Sequence, residues 1–149
     1  MKYAPREVFE QILEWAVIPT FDLVIEIEDK GYLMVRRTIE PYKNVWALPG
    51  LRMYKDEGID DTLIRIARQE VGIDINPKDK VLIGQFVGKF KTEHQRQDLS
   101  TGYYLKLPAK TKITINKEHF SAYLLTKKIP DGTGAMYKHY INRVAENKF

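Results

Sequence analysis

Cysteine is absent from the 149 residues, and that absence excludes a disulfide framework, thiolate zinc sites, iron–sulfur ligation and a cysteine nucleophile. Any metal must therefore sit on oxygen or imidazole. Long apolar runs are missing as well. The first helix-like segment, residues 4–18, is interrupted by Arg6, Glu7, Glu10 and Glu14, far short of the roughly 18 uncharged residues of a membrane span. A cytoplasmic protein with no membrane partner is expected. No internal repeat and no low-complexity segment occurs. A strong excess of one charge is also lacking: 24 basic and 20 acidic side chains leave +4. That balance favours an anionic ligand but falls short of a nucleic-acid footprint, so the expected partner is a small anion. What is present, 44% apolar, 30% charged and 11% aromatic residues, describes one globular domain over 1–149.

Prolines and glycines divide the chain into elements. After Pro5, the residues Val8, Ile12 and Trp15 or Ala16 recur at helical spacing until Pro19, which predicts an N-terminal helix over 4–18. Phe21, Leu23, Ile25 and Ile27 then alternate with Asp22, Val24, Glu26 and Glu28, the period of a half-buried strand with Asp22 opposite the apolar set. Tyr32 to Arg37 returns as a second strand whose apolar face, Leu33 and Val35, ends in the Arg37 guanidinium. Pro41 to Asn44 breaks the chain, Val45 to Leu48 resumes a short strand, and Pro49-Gly50 ends it in a loop. A helix follows with Ile59, Leu63, Ile66 and Ala67 on one face and Gly72 as its stop. Val81 to Phe90 and Leu99 to Leu107 read as an antiparallel pair around the polar loop Lys91 to Asp98. Ile113 with Ile115 suggests a brief strand, Tyr123 to Leu125 another, and Met136, Tyr140 and Val144 a terminal helix whose His139 and basic residues form a solvated face. The pattern is that of an α/β fold, a mixed β-sheet sandwiched between α-helices.

The informative stretch runs from Pro49-Gly50-Leu51-Arg52 through Glu57 to Arg65-Ile66-Ala67-Arg68-Gln69-Glu70-Val71-Gly72-Ile73. It resembles the Nudix box, a loop–helix–loop over residues 50–73 that in its family binds divalent metal against a diphosphate. Glu57, Arg65, Glu70, Gly72 and Ile73 match in register, with Ala67 in an aliphatic slot. Leu51 stands at the box glycine, Ile66 at the first helical glutamate and Gln69 at the second. Residues 66, 69 and 70 are expected on one side of the helix, where three carboxylates would gather several ions and Glu70 alone holds about one. The resemblance implies Mg2+, with Mn2+ as a substitute, on Glu70 and a backbone carbonyl near Gly50, and it implies that Glu57 and Arg65 pair to brace the loop.

Beyond the box, the chain is similar to the GDP-mannose mannosyl hydrolase branch of the family. Asp22 near the start of a strand, Arg36-Arg37-Thr38, Pro49-Gly50-Leu51-Arg52, Tyr103, and Glu118-His119 ahead of Tyr123-Leu124-Leu125 carry that similarity. It implies hydrolysis of a nucleoside diphosphate sugar, with water attacking the anomeric carbon. His119 is then the general base and Glu118 a metal ligand. Arg37 and Arg52 hold the departing diphosphate, Arg37 as a catalytic group, and Asp22 and Tyr103 hold the sugar. Two departures stand out: the branch's loop histidine meets Thr92, with His94 as the nearest substitute, and Glu118 replaces a glutamine. Two rival readings stay open. One is a conventional Nudix diphosphatase using Glu57, Glu70 and Glu118, and the other a Nudix-fold nucleotide-sugar binding module without turnover. A homodimer is expected.

Overall fold

The computed structural model describes residues 3–40 and 42–149; Pro41, the first residue of the expected chain break, lies outside them. The first helix, α1, spans Arg6–Trp15 and ends before the expected Ile18, because Val17–Ile27 is a strand, β1. The β-branched Val17 and Ile18 favour extended backbone, and β1 pairs in parallel with β6, Gln97–Leu107, from Val17↔Gln97 to Ile27↔Leu107. Pro19 therefore lies inside a strand and does not close a helix.

The remaining elements are β2 (Gly31–Arg37), β3 (Trp46–Ala47), β4 (Gly50–Arg52), α2 (Ile59–Val71), β5 (Val81–Lys89), β7 (Phe120–Thr126) and α3 (Ala135–Ala145). The main path of the sheet is β3-β2-β1-β6-β5, with β4 added to β1 and β7 to β2. Every pairing except β1 with β6 is antiparallel, including the expected pair β5 and β6. The sheet is thus mixed, and helices flank it. Among the described residues no helix is long and apolar enough to cross a membrane.

Three expectations are corrected by where backbone partners lie. Pro49-Gly50 does not end in a loop, because Gly50–Arg52 pairs with Thr20–Asp22 of β1. Ile113 and Ile115 form no strand; Thr114 N and Asn116 N donate instead to the carbonyls of Val71 and Glu70 at the end of α2, which would otherwise lack donor partners. Third, β1 is not half-buried. Thr20, Phe21, Asp22, Leu23, Val24 and Ile25 are all buried, as befits a central strand covered on both faces. On the face that carries Asp22, α3 lies close enough that the Tyr140 ring occupies the space where a Cβ at Gly102 would go. The face of α3 read as solvated is partly docked: Arg143 Nε donates to Ile83 O at 3.1 Å and the His139 ring packs on Phe86.

Gly72 stops α2 as expected, with φ 66° and its N–H on Arg68 O. Leu63, Ile66 and Ala67 are fully buried in the core, whereas Ile59 is exposed. Position 66 is therefore a packing position, and Ile66→Ala should destabilise the fold by about 2–5 kcal/mol, read as a lower urea midpoint at unchanged slope.

Candidate active site

The sheet opens between β1 and β2. These strands pair only at Glu26↔Tyr32 and Ile27↔Gly31; beyond that, β4 takes the edge of β1 while β7 and β3 take β2. A cavity of about 400 Å³ lies in the opening. Asp22, Arg37, Gly50, Arg52, Glu70 and His119 all line it, so residues from β1, β2, β4, α2 and the turn before β7 converge although they are spread over nearly 100 positions.

Glu70, on the last turn of α2, is fully buried. Its Oε1 and Oε2 lie 2.8 and 3.0 Å from His119 Nδ1. Burial raises the Glu70 pKa, and the His119, Arg37 and Arg65 charges oppose that rise. His119 is fixed by its own backbone: Thr38 N donates to His119 O at 2.8 Å, His119 N donates to Asn116 O, and Thr38 Oγ1 donates to Glu118 O. Because Thr38 follows Arg37, one contact positions both the imidazole and the guanidinium. Arg37 itself leaves β2 where the register with β7 shifts between Arg36 and Arg37, a bulge that re-aims side chains.

Asp22 is 5% exposed. Its Oδ2 accepts from Ser100 Oγ at 2.5 Å, and Ser100 Oγ accepts from Tyr140 O–H at 2.9 Å. Burial pushes the Asp22 pKa up from 3.8 to about 7, with the Ser100 bond and Arg37 opposing and Asp98 adding to it. Gly50 lies directly beside it, and a Cβ there would collide with Asp22 Oδ1 and Phe21 O. Only glycine lets this carboxylate rest against β4.

The pair Glu57 and Arg65 is closed. Arg65 Nε donates to Glu57 Oε2 at 2.7 Å and Nη2 to Glu57 Oε1 at 2.9 Å and to Arg52 O at 2.7 Å. Tyr54 N donates to Glu57 Oε1 at 2.7 Å, so the loop before α2 is folded around one bidentate ion pair. The Arg65 guanidinium lies over the Tyr54 ring at 3.9 Å, and its Nη1 is buried without a hydrogen-bond partner. The hydrogen bonds from Arg65, followed by the Tyr54 amide, hold the Glu57 carboxyl below its usual range against a smaller effect of burial.

Other expected residues lie elsewhere. Tyr103 is buried in the core, its ring 6.1 Å from Phe21, and does not line the cavity. Glu118 is exposed and its side chain is outside the lining. His94 Nδ1 lies 3.1 Å from Glu14 Oε2 of α1, away from the lining. Gln69 is exposed on the opposite side of α2, in a surface groove with Asp61 and Arg68, so residues 66, 69 and 70 do not share one side as expected: 66 enters the core, 70 the cavity and 69 neither. Conversely, Arg96 and Asp98 line the cavity although the sequence reading leaves them in a polar loop. The available signal was alternation: Asp98 and Ser100 extend the inward face of β6 by two residues.

No cluster of three or more metal-binding side chains occurs among the described residues. The donors nonetheless fit one hard cation. Glu70 and Gly50 line the same cavity, so a carboxylate and a backbone carbonyl are at hand there. Magnesium-type ions commonly take one or two carboxylates and complete their shell with water and phosphate oxygens.

A NUDIX domain model matches residues 18–133. The low-salt glycan biosynthesis protein Agl8 of Haloferax volcanii is 32% identical over 77 residues, 52% of this chain and 49% of that protein; the chain thus spans about half the length of this curated relative. Among solved structures, the NUDIX domain of Shewanella oneidensis NrtR, complexed with ADP ribose, superposes with a TM-score of 0.73 at 16% identity, covering 99% of this chain and 95% of that one. A bifunctional NMN adenylyltransferase/ADP ribose pyrophosphatase of Francisella tularensis, complexed with AMP and manganese, gives 0.72 at 17% identity over 95% of this chain and 45% of that one. At these identities the structural likeness speaks for the fold.

Two outcomes follow from the electrostatics. The folded state holds the Asp22 proton up to about pH 7 while an unfolded aspartate releases it near 3.8, so this group makes stability fall as pH rises between those values. Asp22→Asn should remove that slope, gaining up to about 4 kcal/mol over the parent at pH 8 and little at pH 3, measured by urea melts at both pH values. Glu57 has the opposite sign: its depressed pKa stabilises the fold above the ordinary carboxylate range and that contribution is lost in acid. Arg65→Ala should therefore cost about 3 kcal/mol at pH 7 and progressively less below pH 4, with faster amide exchange over residues 50–57.

Proposed function

The chain belongs to the NUDIX family, and from that premise we propose that it is a hydrolase of nucleoside diphosphate sugars in which water attacks the anomeric carbon. The observation that carries this reading is the pair formed by Glu70 and His119. Attack on phosphorus through the box draws on several carboxylates of its helix to gather metal ions, and here α2 brings one carboxylate to the cavity, with an imidazole already on it. Nor is the set Glu57, Glu70 and Glu118 assembled, because Glu57 is held by Arg65 and Glu118 is exposed. The Haloferax relative is named for low-salt glycan biosynthesis, which also supports a sugar substrate.

The steps assigned to this chain are few. With Nδ1–H directed to Glu70, His119 presents Nε2 as its acceptor. That nitrogen takes a proton as the water oxygen bonds to the anomeric carbon. The bond from that carbon to the diphosphate oxygen breaks, and the nucleoside diphosphate leaves with the electron pair. Arg37 and Arg52 oppose the charge that develops on it. Asp22 accepts hydrogen bonds from sugar hydroxyls. Glu70 and the Gly50 carbonyl would hold a divalent cation, Mg2+ or Mn2+, whose chemistry there is charge neutralisation on the diphosphate. A cytoplasmic homodimer completes the reading, supported by Val8, Ile12 and Trp15 of α1, which are exposed on a helix that buries no residue.

Turnover of a nucleotide-sugar panel in ¹⁸O water should place label in the free sugar; label in a phosphate would overturn carbon attack in favour of a conventional diphosphatase, and saturable binding without product would favour a binding module. His119→Gln should lower turnover roughly 10²–10⁴-fold while nucleoside diphosphate affinity stays nearly constant. Wild-type turnover in that variant would remove His119 from the chemistry.

A further inference from the structure

Arg96 is a charged cavity residue that neither the sequence pattern nor the proposed mechanism employs. Its position is well determined. Phe90 N donates to Arg96 O at 2.9 Å, Arg96 N donates to Thr92 Oγ1 at 3.1 Å, and Arg96 Nε donates to Asp98 Oδ1 at 2.7 Å. Asp98 is itself 7% exposed and fixed in β6. The pair with Asp98 uses one N–H of the guanidinium fork. The two terminal nitrogens have no protein partner among the described residues, and the side chain lines the cavity.

Arg52 lines the same cavity in a complementary state. Its guanidinium is stacked over the Phe9 ring at 4.2 Å and the Tyr54 ring at 4.8 Å, contacts that fix its plane while using none of its N–H donors. It has no carboxylate partner among the described residues. Burial holds the Arg52 pKa below its usual value, and the Arg96 and Arg65 charges push it the same way. Two oriented cations thus share one wall of a half-enclosed cavity, one of them without a counter-charge.

We propose that Arg96, aimed by Asp98, is a further diphosphate-binding residue of this site, a second jaw to the Arg52 that the two rings aim. The diphosphate oxygens take the place of the missing counter-anion and accept from the free terminal N–H groups of both forks. The clamp deepens the reading above and rests on it, because it adds Arg96 to the groups that hold the substrate's diphosphate. It serves equally whichever bond of the substrate is cleaved.

The test uses the whole chain in EDTA and methylenediphosphonate, a diphosphate mimic that neither reaction can cleave, with affinity measured by calorimetry. Arg96→Gln should bind it ten- to a hundredfold more weakly, with an unchanged melting temperature confirming the fold. Arg96→Lys keeps a cation beside Asp98 and should fall only several-fold. The Arg52→Gln/Arg96→Gln pair should lose less than the product of the single losses, since both jaws grip one ligand. Wild-type affinity in Arg96→Gln, or in Arg96→Lys if the glutamine variant does not fold, would overturn the clamp, and so would strictly multiplicative losses. Label in phosphate from the ¹⁸O experiment would overturn carbon attack and leave the clamp standing; unchanged affinity here would do the reverse.

Discussion

Everything near the cavity is arranged around one carboxylate that has been taken out of water. Glu70 is fully buried at the end of α2, and a charge in that position is costly unless it is paired and hydrogen-bonded. His119 supplies the pairing at 2.8 Å. The backbone repeats the connection, since Asn116 N donates to Glu70 O and Thr114 N to Val71 O. The segment before β7 is thus docked on the helix end by main chain and side chain together. Because His119 O also accepts from Thr38 N, the same docking sets the end of β2 and with it Arg37. Removing the carboxylate would leave a turn, an imidazole and a strand end with less reason to be where they are.

That dependence explains which parts of the molecule were legible in the sequence. The loop and helix of the box were, because Glu57 and Arg65 match the family pattern in register and that resemblance implies their pairing, which closes at 2.7 Å. The burial of Ile66 followed from helical periodicity. The start of β1 was not legible, because residues 12–18 carry an apolar pattern that suits a helix while the strand is selected by a partner, β6, some eighty positions away. Local pattern contains no term for that pairing. The segment Ile113–Ile115 misled for a related reason: its alternation is real, but its amides are used by helix carbonyls and not by a neighbouring strand. Asp98 was hidden by polarity, since a charged residue next to an apolar strand reads as loop until the sheet shows that its side chain faces inward; Arg96 does lie in the loop and reaches the cavity from there.

The cavity itself mixes signs. Arg37, Arg52 and Arg96 share it with Asp22, Glu40, Glu70 and Asp98, and for Asp22, Glu70 and Asp98 burial outweighs the neighbouring cations, so each of those pKa values is raised. A uniformly basic pocket would suit a bare phosphate. Carboxylates that resist ionisation suit hydroxyl groups, to which they offer hydrogen bonds without the full cost of a buried charge. A ligand that is anionic at one end and rich in hydroxyls at the other satisfies both halves, and fixed dipoles and charges of this kind act without reorganising during reaction. The cavity is therefore matched to two chemistries along one molecule.

The N-terminal helix raises a question of cohesion, because a ten-residue helix that buries nothing is marginal by itself. Its attachment is a stack of cations and rings. From α2 outward, Arg65 lies over Tyr54 at 3.9 Å, Tyr54 lies under Arg52 at 4.8 Å, and Arg52 lies against Phe9 of α1 at 4.2 Å. Tyr3 adds a ring contact to Tyr54 at 4.7 Å, and Glu14 reaches His94 at 3.1 Å. Each contact is worth on the order of 1 kcal/mol, enough together to seat the helix and too little to weld it. Since Arg65 is also the partner of Glu57, the brace of the box and the seat of α1 share a guanidinium. The wall of the site proposed to meet a diphosphate is held from behind by the same residue that folds the loop in front.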